Sequence, residues 1–99
     1  MKSQILHVVA VITAQAGKEK ELSVALQALV EPTRKEDGCI RYELMQNKQS
    51  PEQFIFVEEW KDDEALDKHL MSPHVSEALR SAASLLAKAP EINRCKPVG

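Results

Sequence analysis

The sequence predicts one α+β domain, residues 1–99, with elements in the order β-α-β-β-α-β. Two observations carry this prediction. Segments that are apolar along an extended strand alternate with segments whose apolar residues recur at spacings of three and four. A chain of 99 residues also leaves room for only one domain. This element order is typical of a ferredoxin-like sandwich, with an antiparallel sheet in the order 4-1-3-2.

The first strand and first helix have the clearest hydrophobic patterns. Gln4–Thr13 is apolar at both parities, which is typical of a central strand covered on two sides. Lys18–Glu36 predicts a helix, because its apolar residues form one stripe. Pro32 lies inside this segment and should kink the helix or loosen its last turn. We expect Gly38 to end it.

The middle of the chain predicts two strands of different character. Cys39–Gln46 alternates apolar and charged residues, as expected for an edge or half-exposed strand. Gln53–Trp60 is apolar on both faces, as expected for a central strand. The last third predicts an Asp-capped helix over Glu64–Met71, a helix from Pro73 to near Lys88 with Ser72 as its N-cap, and a short strand over Pro90–Lys96.

Composition excludes several classes of function. A net charge of -2 and four aromatic residues provide neither a basic stripe nor stacking platforms for nucleic acid. The apolar run Ile5–Ile12 is too short for a membrane span, which needs about twenty residues. Two cysteines without CxxC spacing predict a reducing, cytoplasmic location rather than a disulfide scaffold.

The two strands that are apolar on both faces, the first and the third, also predict that the chain forms an oligomer. Helices can cover only one face of this sheet, so the apolar side chains on its other face would form a large exposed patch. We therefore expect a homodimer that buries sheet against sheet.

Two histidines and a pair of glutamates are the candidate site residues. His69 leans toward the buried side of its predicted helix, and His74 lies in the first turn of the next. Both could be structural, or they could carry chemistry. One of Glu58 and Glu59 must face inward, because successive strand residues point to opposite faces. A buried Glu–His pair could orient a general base, whereas a carboxylate accepting an N–H at the strand end is the structural alternative.

Other chemistries find little support in the sequence. His69 and His74 are five residues apart across a helix break, and no third ligand follows at an obvious spacing, so no metal is expected. Three isolated glycines cannot form a phosphate-binding loop. We expect no cofactor. The aromatic side chains on the second and third strands either form core or wall an apolar pocket.

Four segments of the chain together resemble a known family. They are the turn at Gly17 after the first strand, residues 36–44 (EDGCIRYEL), residues 56–61 (FVEEWK) and residues 65–74 (ALDKHLMSPH). In these segments the chain resembles the antibiotic biosynthesis monooxygenase domain. The resemblance implies a ferredoxin-like protomer, a dimeric α+β barrel and a pocket between sheet and helices in each protomer.

The resemblance also implies a range of activities. Members of this family include cofactor-independent oxygenases of quinols and phenols, haem-cleaving enzymes and isomerases of phosphorylated sugars. Leu79 aligns with the haem-ligating histidine of the haem-cleaving branch, so this chain lacks that ligand. The leading expectation is a monooxygenase that oxidises a small quinol- or phenol-type substrate with O2. Its catalytic residues would be His69 as base, Glu59 as its orienting partner and His74 as a second polar contact.

The pocket walls in this interpretation are apolar or aromatic: Tyr42, Phe54, Trp60 and Leu66. An isomerase of a small phosphorylated keto compound could use the same pocket, with Lys68 or Arg80 at its mouth. A dimer that binds a small ligand without turnover is the third possibility.

Overall fold

The computed structural model describes residues 4–99 and shows a four-stranded antiparallel sheet with helices packed on one face. In chain order the elements are β1 (Leu6–Thr13), α1 (Glu19–Gln27), α2 (Val30–Arg34), β2 (Cys39–Gln46), β3 (Gln53–Trp60), α3 (Asp63–Leu70), α4 (Pro73–Ala82) and β4 (Glu91–Cys95). The strand order is β2-β3-β1-β4. This is the predicted order 4-1-3-2 viewed from the other edge, so the predicted fold is confirmed.

The segment Lys18–Glu36 was predicted as one helix that Pro32 would kink or loosen in its last turn, and the interruption is larger than this. The segment forms two helices, α1 and α2, separated at Ala28 and Leu29. The cause is Pro32, which has no N–H to donate to the carbonyl four residues earlier, that of Ala28, and whose ring crowds it. At the break the Leu29 N–H bonds to the carbonyl of Leu26, three residues back, at 3.0 Å. The break therefore lies one turn before the proline.

The two helices of the second half begin at the predicted caps. The Asp62 carboxylate accepts the Ala65 N–H at 2.9 Å, and Ser72 caps α4 with Pro73 at its first position. The end of α4 was predicted too far along the chain. The helix stops at Ala82, and a 3-10 turn, Ala83–Leu85, leads the chain toward β4.

The sheet presents two different faces. Its inner face packs under the helices and forms the core with side chains of β1, β2 and β3: Val8, Ala10, Ile12, Tyr42, Phe54, Phe56 and Trp60. On the outer face Val9 lies opposite Val57, and Val11 lies opposite Ile55. These outer side chains are half-buried or exposed in the single chain.

Within residues 4–99, no helix combines the length and the apolar character that a membrane span requires.

Candidate active site

A cavity of about 90 Å³ lies between the inner face of the sheet and helices α1, α3 and α4. Among the residues described, the lining side chains are apolar except for three: Tyr42, Glu58 and His69. A concave apolar site with a few convergent polar groups is the usual form of a small-molecule site. This cavity is therefore the candidate active site.

His69 is the buried imidazole that lines this cavity. Its ring, on the last turn of α3, is only 4% exposed and packs against Trp60 with the ring centroids 4.8 Å apart. Its Nδ1 lies 2.7 Å from Oε2 of Glu36. A carboxylate oxygen can only accept, so Nδ1 carries a hydrogen and the neutral ring has its lone pair on Nε2. Burial lowers the pKa of His69, although the adjacent Glu36 carboxylate opposes this effect.

One carboxylate oxygen of Glu36 lies within hydrogen-bond distance of both histidines. His74 Nε2 lies 2.6 Å from the same Oε2 atom, and it also lies 3.3 Å from the Ser72 hydroxyl. That hydroxyl donates to the His69 carbonyl at 2.7 Å. The break between α3 and α4 is thus tied together by a polar cluster: Glu36, His69, Ser72 and His74. His74 belongs to the cluster but not to the cavity lining.

The approach of Glu36 to α3 depends on Gly38. This glycine has a φ of 91°, in the left-handed region that favours glycine. A Cβ added to it would lie 2.8 Å from the Cβ of Ala65 in α3, so a side chain here would push the loop away. The Lys61 N–H also bonds to the Gly38 carbonyl at 2.9 Å. Gly38 therefore allows its loop to pack closely against α3. It does not end the helix, as was predicted, because α2 stops at Arg34.

We expected the Glu59 carboxylate beside His69, and this prediction is wrong. Glu59 lies on the outer face, where its carboxylate is 3.5 Å from the Arg41 guanidinium. The partner of His69 is Glu36, and the inward-facing glutamate of β3 is Glu58, which is 4% exposed. Strand parity explains this difference, because Glu58 shares its face with Phe56 and Trp60.

Two of the four expected wall residues line the cavity, and the expectation is wrong for the other two. Tyr42 and Leu66 line it directly. Trp60 is fully buried and packs at a tilt against His69, and Phe54 is buried elsewhere in the core, so neither lines the cavity. Burial raises the pKa of Tyr42, so its hydroxyl stays protonated.

The cluster also tests whether a metal ion would fit. The ligand-type atoms of Glu36, His69 and His74 lie within 4.8 Å of one another, so the third group that the spacing did not reveal is present. Both ring nitrogens, however, lie 2.6–2.7 Å from one carboxylate oxygen. Neighbouring ligands around a tetrahedral zinc ion would be roughly 3.3 Å apart. The observed distances are those of hydrogen bonds, which account for the whole cluster.

Comparison with known proteins identifies the family. The sequence profile described as "Antibiotic biosynthesis monooxygenase" matches residues 5–81. The chain belongs to this family. The matched segment includes the cluster and both cavity-lining acid–base groups, Glu58 and His69. The resemblance that the sequence suggested is thereby confirmed.

Individual proteins and solved structures are also similar to this chain. A crystal structure from Pseudomonas aeruginosa, PA3566, superposes with a TM-score of 0.91 at 33% identity, covering 100% of this chain and 99% of that one. A Mycobacterium tuberculosis protein named "Putative monooxygenase Rv0793" is 32% identical over 78% of this chain and 75% of its own length. An uncharacterized Synechocystis protein is 35% identical over 82% of this chain, and the match spans 55% of its length.

Proposed function

We propose that this protein is a monooxygenase that oxidises a small quinol- or phenol-type aromatic substrate with O2, using neither metal nor flavin. Family membership supports a monooxygenase-like function in general. The observation that carries the finer proposal is the buried His69, whose Nδ1 is fixed by Glu36 at the edge of an apolar cavity. This arrangement leaves Nε2 to act on a ligand.

His69 is suited to remove the phenol proton. Because burial lowers its pKa, the ring is neutral near pH 7 and can accept a proton on Nε2. The Glu36 carboxylate would then stabilise the imidazolium through the Nδ1–H bond. The substrate becomes a phenolate, which concentrates electron density on the ring carbons ortho and para to its oxygen. Such a carbon can react with O2 to form a carbon–oxygen bond.

The rest of the cavity favours an apolar aromatic substrate. Tyr42, Phe56 and Leu66 supply flat or aliphatic walls. At about 90 Å³ the cavity is smaller than the roughly 150 Å³ cavity that accommodates benzene. A substrate would therefore also occupy the mouth, where Leu79 and Ile92 line the cavity and expose apolar surface. Few water molecules fit beside such a ligand, and this protects a reactive anion.

The phosphorylated-substrate alternative has less support. Among residues 4–99, His69 is the only side chain lining the cavity that can carry positive charge. Lys68 and Arg80, the cations expected at the mouth, are exposed and lie next to Glu64 and Glu77 on the same helices. Within the described part of the chain, Lys68 and Arg80 are thus already paired with carboxylates rather than free to bind a phosphate group. We therefore favour the oxygenase over an isomerase of phosphorylated compounds.

The test is oxygen consumption by the metal-free protein with menadiol and a panel of related quinols and phenols. We expect uptake coupled to quinone formation, and at least a hundredfold lower kcat in His69→Ala, as is typical when a general base is removed. Lys68→Ala is the matched control, because Lys68 precedes His69 on α3 but is exposed.

Three results would contradict the proposal in different ways. Unchanged turnover in His69→Ala would refute the assignment of the base. Deuterium exchange into a ketone substrate without oxygen uptake would indicate an isomerase. Tight binding of a co-purified small molecule, with no turnover on the whole panel, would indicate a binding protein.

The homodimer remains part of the proposal. The outer sheet face presents an apolar strip flanked by charged side chains of both signs: Val9, Val11, Met45, Ile55 and Val57, beside Arg41, Glu43 and Glu59. A second copy facing it would bury the strip and could pair these charges. In Val57→Lys, sedimentation velocity should show a halved mass, whereas Val24→Lys, on the exposed side of α1, should not change it. A monomeric unaltered protein would refute the dimer.

The cytoplasmic location also stays a prediction.

A further inference from the structure

Glu58 is a second titratable group in the cavity, and the base chemistry of His69 does not use it. Of the residues that the structure describes, it is the only carboxyl lining the cavity. The residue is 4% exposed, although it has no cationic partner among the residues described. Buried carboxyl groups without a charged partner are uncommon, because burial disfavours the ionised form. The position of Glu58 therefore calls for a chemical explanation.

Trp60 fixes the carboxyl group with one hydrogen bond. The indole Nε1–H donates to Oε1 of Glu58 at 2.7 Å. The same indole is fully buried and packs at a tilt of 38° against the ring of His69, with the centroids 4.8 Å apart. One rigid side chain thus contacts both Glu58 and His69. Oε2 of Glu58 has no hydrogen-bond partner among the described residues and can reach a ligand.

We propose that Glu58 is a catalytic acid, which delivers its proton to the peroxide formed from O2 in the cavity. The inference rests on the proposed oxygenase function and adds a second catalytic residue to it. His69 and Glu58 would act on the same substrate, His69 on the phenol oxygen and Glu58 on the oxygen atoms derived from O2.

The proton and electron balance closes without any further reactant. His69 takes the phenol proton, and a ring carbon that carries hydrogen donates electrons to O2, forming a C–O bond and a peroxide anion. The O–H bond of Glu58 breaks, and its proton goes to the terminal peroxide oxygen. The Glu58 carboxylate then removes the hydrogen of that carbon as a proton while the O–O bond breaks. Hydroxide leaves and takes the proton from His69, which gives water and a quinone carbonyl.

The surroundings of Glu58 favour its protonated form. Burial raises the pKa of Glu58 to about 7; the Trp60 hydrogen bond works against this rise, and the charge of Glu36 adds to it. Tyr42 is its register partner on β2, and Val8 is its partner on β1. Of the charged groups on neighbouring elements, Arg94 of β4 binds Asp63 and Asp67 instead. The titratable groups that face Glu58 are Glu36, Cys39, Tyr42 and His69.

The test compares Glu58→Gln with Glu64→Gln in the full-length protein. A glutamine keeps the size of the side chain and an acceptor for the Trp60 indole, but it has no proton to transfer. We expect kcat for quinol oxidation to fall at least tenfold with KM changed less than about twofold, as for loss of an acid acting only in the transition state. The decline of kcat above about pH 7 should disappear. Glu64, exposed on α3, serves as the control for the same chemical change.

Infrared spectroscopy gives a second readout that needs no turnover. The protonated carboxyl of Glu58 should give a carbonyl band at pH 6 that is lost as the pH rises through about 7. This band should be absent in Glu58→Gln and present in Glu64→Gln. An ionised Glu58 at pH 6 would overturn the assignment even if the variant failed to fold.

The failures of the two proposals are distinguishable. No oxygen uptake by the unaltered protein would overturn the oxygenase function. Uptake that His69→Ala abolishes and Glu58→Gln leaves unchanged would overturn only the role of Glu58.

Discussion

Glu58 and Glu59 are neighbours in the chain, yet they lie on opposite faces of the sheet and have different environments. Glu58 faces the core, is 4% exposed and accepts from a tryptophan indole. Glu59 faces outward, its side chain is 24% exposed, and its partner is the Arg41 guanidinium. Burial raises the pKa of Glu58 to about 7. The same side chain thus becomes a candidate proton donor on one face and half of a surface ion pair on the other.

The two faces also differ in what completes them. The inner face is closed by helices of the same chain and encloses a cavity with acid–base groups. The outer face carries apolar side chains without a cover in the single chain. A shift of one residue along β3 therefore separates the proposed chemistry from the proposed assembly.

The largest expected effect comes from truncating a core side chain of the inner face. Phe56 is 3% exposed and stacks on Tyr42 with the centroids 4.8 Å apart. Phe56→Ala should lower the free energy of unfolding by about 3–5 kcal/mol, because it removes buried area and leaves a cavity. The measurement is urea unfolding at low micromolar protein.

Ile55→Ala makes a similar truncation on the outer face and should cost less in a dissociated chain. An equal loss at concentrations where sedimentation shows monomer would contradict the contrast between the two faces.

The second prediction is that Glu58 and Glu59 affect the pH dependence of the free energy of unfolding differently. The folded Glu58 keeps its proton up to about pH 7, whereas an unfolded glutamate loses it near 4.5. The folded state therefore binds more protons in this window, and the contribution of Glu58 to the free energy of unfolding falls as the pH rises from 4.5 to 7. At about 1.4 kcal/mol per pH unit, the fall is on the order of 3 kcal/mol.

Denaturant unfolding across this range should show that Glu58→Gln removes the fall and Glu59→Gln retains it. His69 contributes with the opposite sign, because its lowered pKa gives stability that is lost as the pH drops below 6.5. Both variants keep His69, so their difference isolates the glutamate. Identical pH profiles for the two variants would refute the burial argument.

The third prediction concerns the carboxylate that positions the base. Glu36→Gln removes the charge that fixes the His69 Nδ1–H and stabilises the imidazolium. We expect about a hundredfold lower kcat, equivalent to roughly 2.7 kcal/mol of transition-state stabilisation. Glu43→Gln removes a carboxylate of the outer face and should have little effect. A Glu36→Gln enzyme with unaltered kcat and pH profile would show that the cluster is only structural.

The smallest expected effect is that of chelation. Treatment with EDTA followed by gel filtration should leave oxygen uptake unchanged, because hydrogen bonds account for the distances in the Glu36 cluster. Loss of uptake that is restored by one divalent metal would instead assign a metal to these residues.

Hydrophobic patterns were sufficient to predict the sheet. The bounds of β2 and β3 match the predicted Cys39–Gln46 and Gln53–Trp60, since alternation is a local signal with sharp ends at turn residues. The helix break needed more than a pattern. Pro32 was visible in the sequence, but its effect falls four residues earlier, at Ala28.

The site was predictable only in part. His69 was found because it leans toward the apolar stripe of its helix. Strand parity required one inward glutamate, yet which face the cavity occupies depends on how the helices pack. Glu36 gave no local signal, because it lies on a loop and meets His69 only through tertiary packing. The only sequence feature related to its position is the nearby Gly38. The close contact of Gly38 with Ala65 cannot be read from the sequence, because it depends on how the loop packs against α3.

The Glu36 cluster has a consequence for folding. Its two histidine contacts join residues 33 and 38 positions apart in the chain. Closing loops of this length before the sheet has formed loses entropy without compensating contacts. No fragment of the chain should therefore assemble the cluster by itself. The histidine ring resonances should change together with global unfolding, so they would report folding cooperativity from within the proposed site.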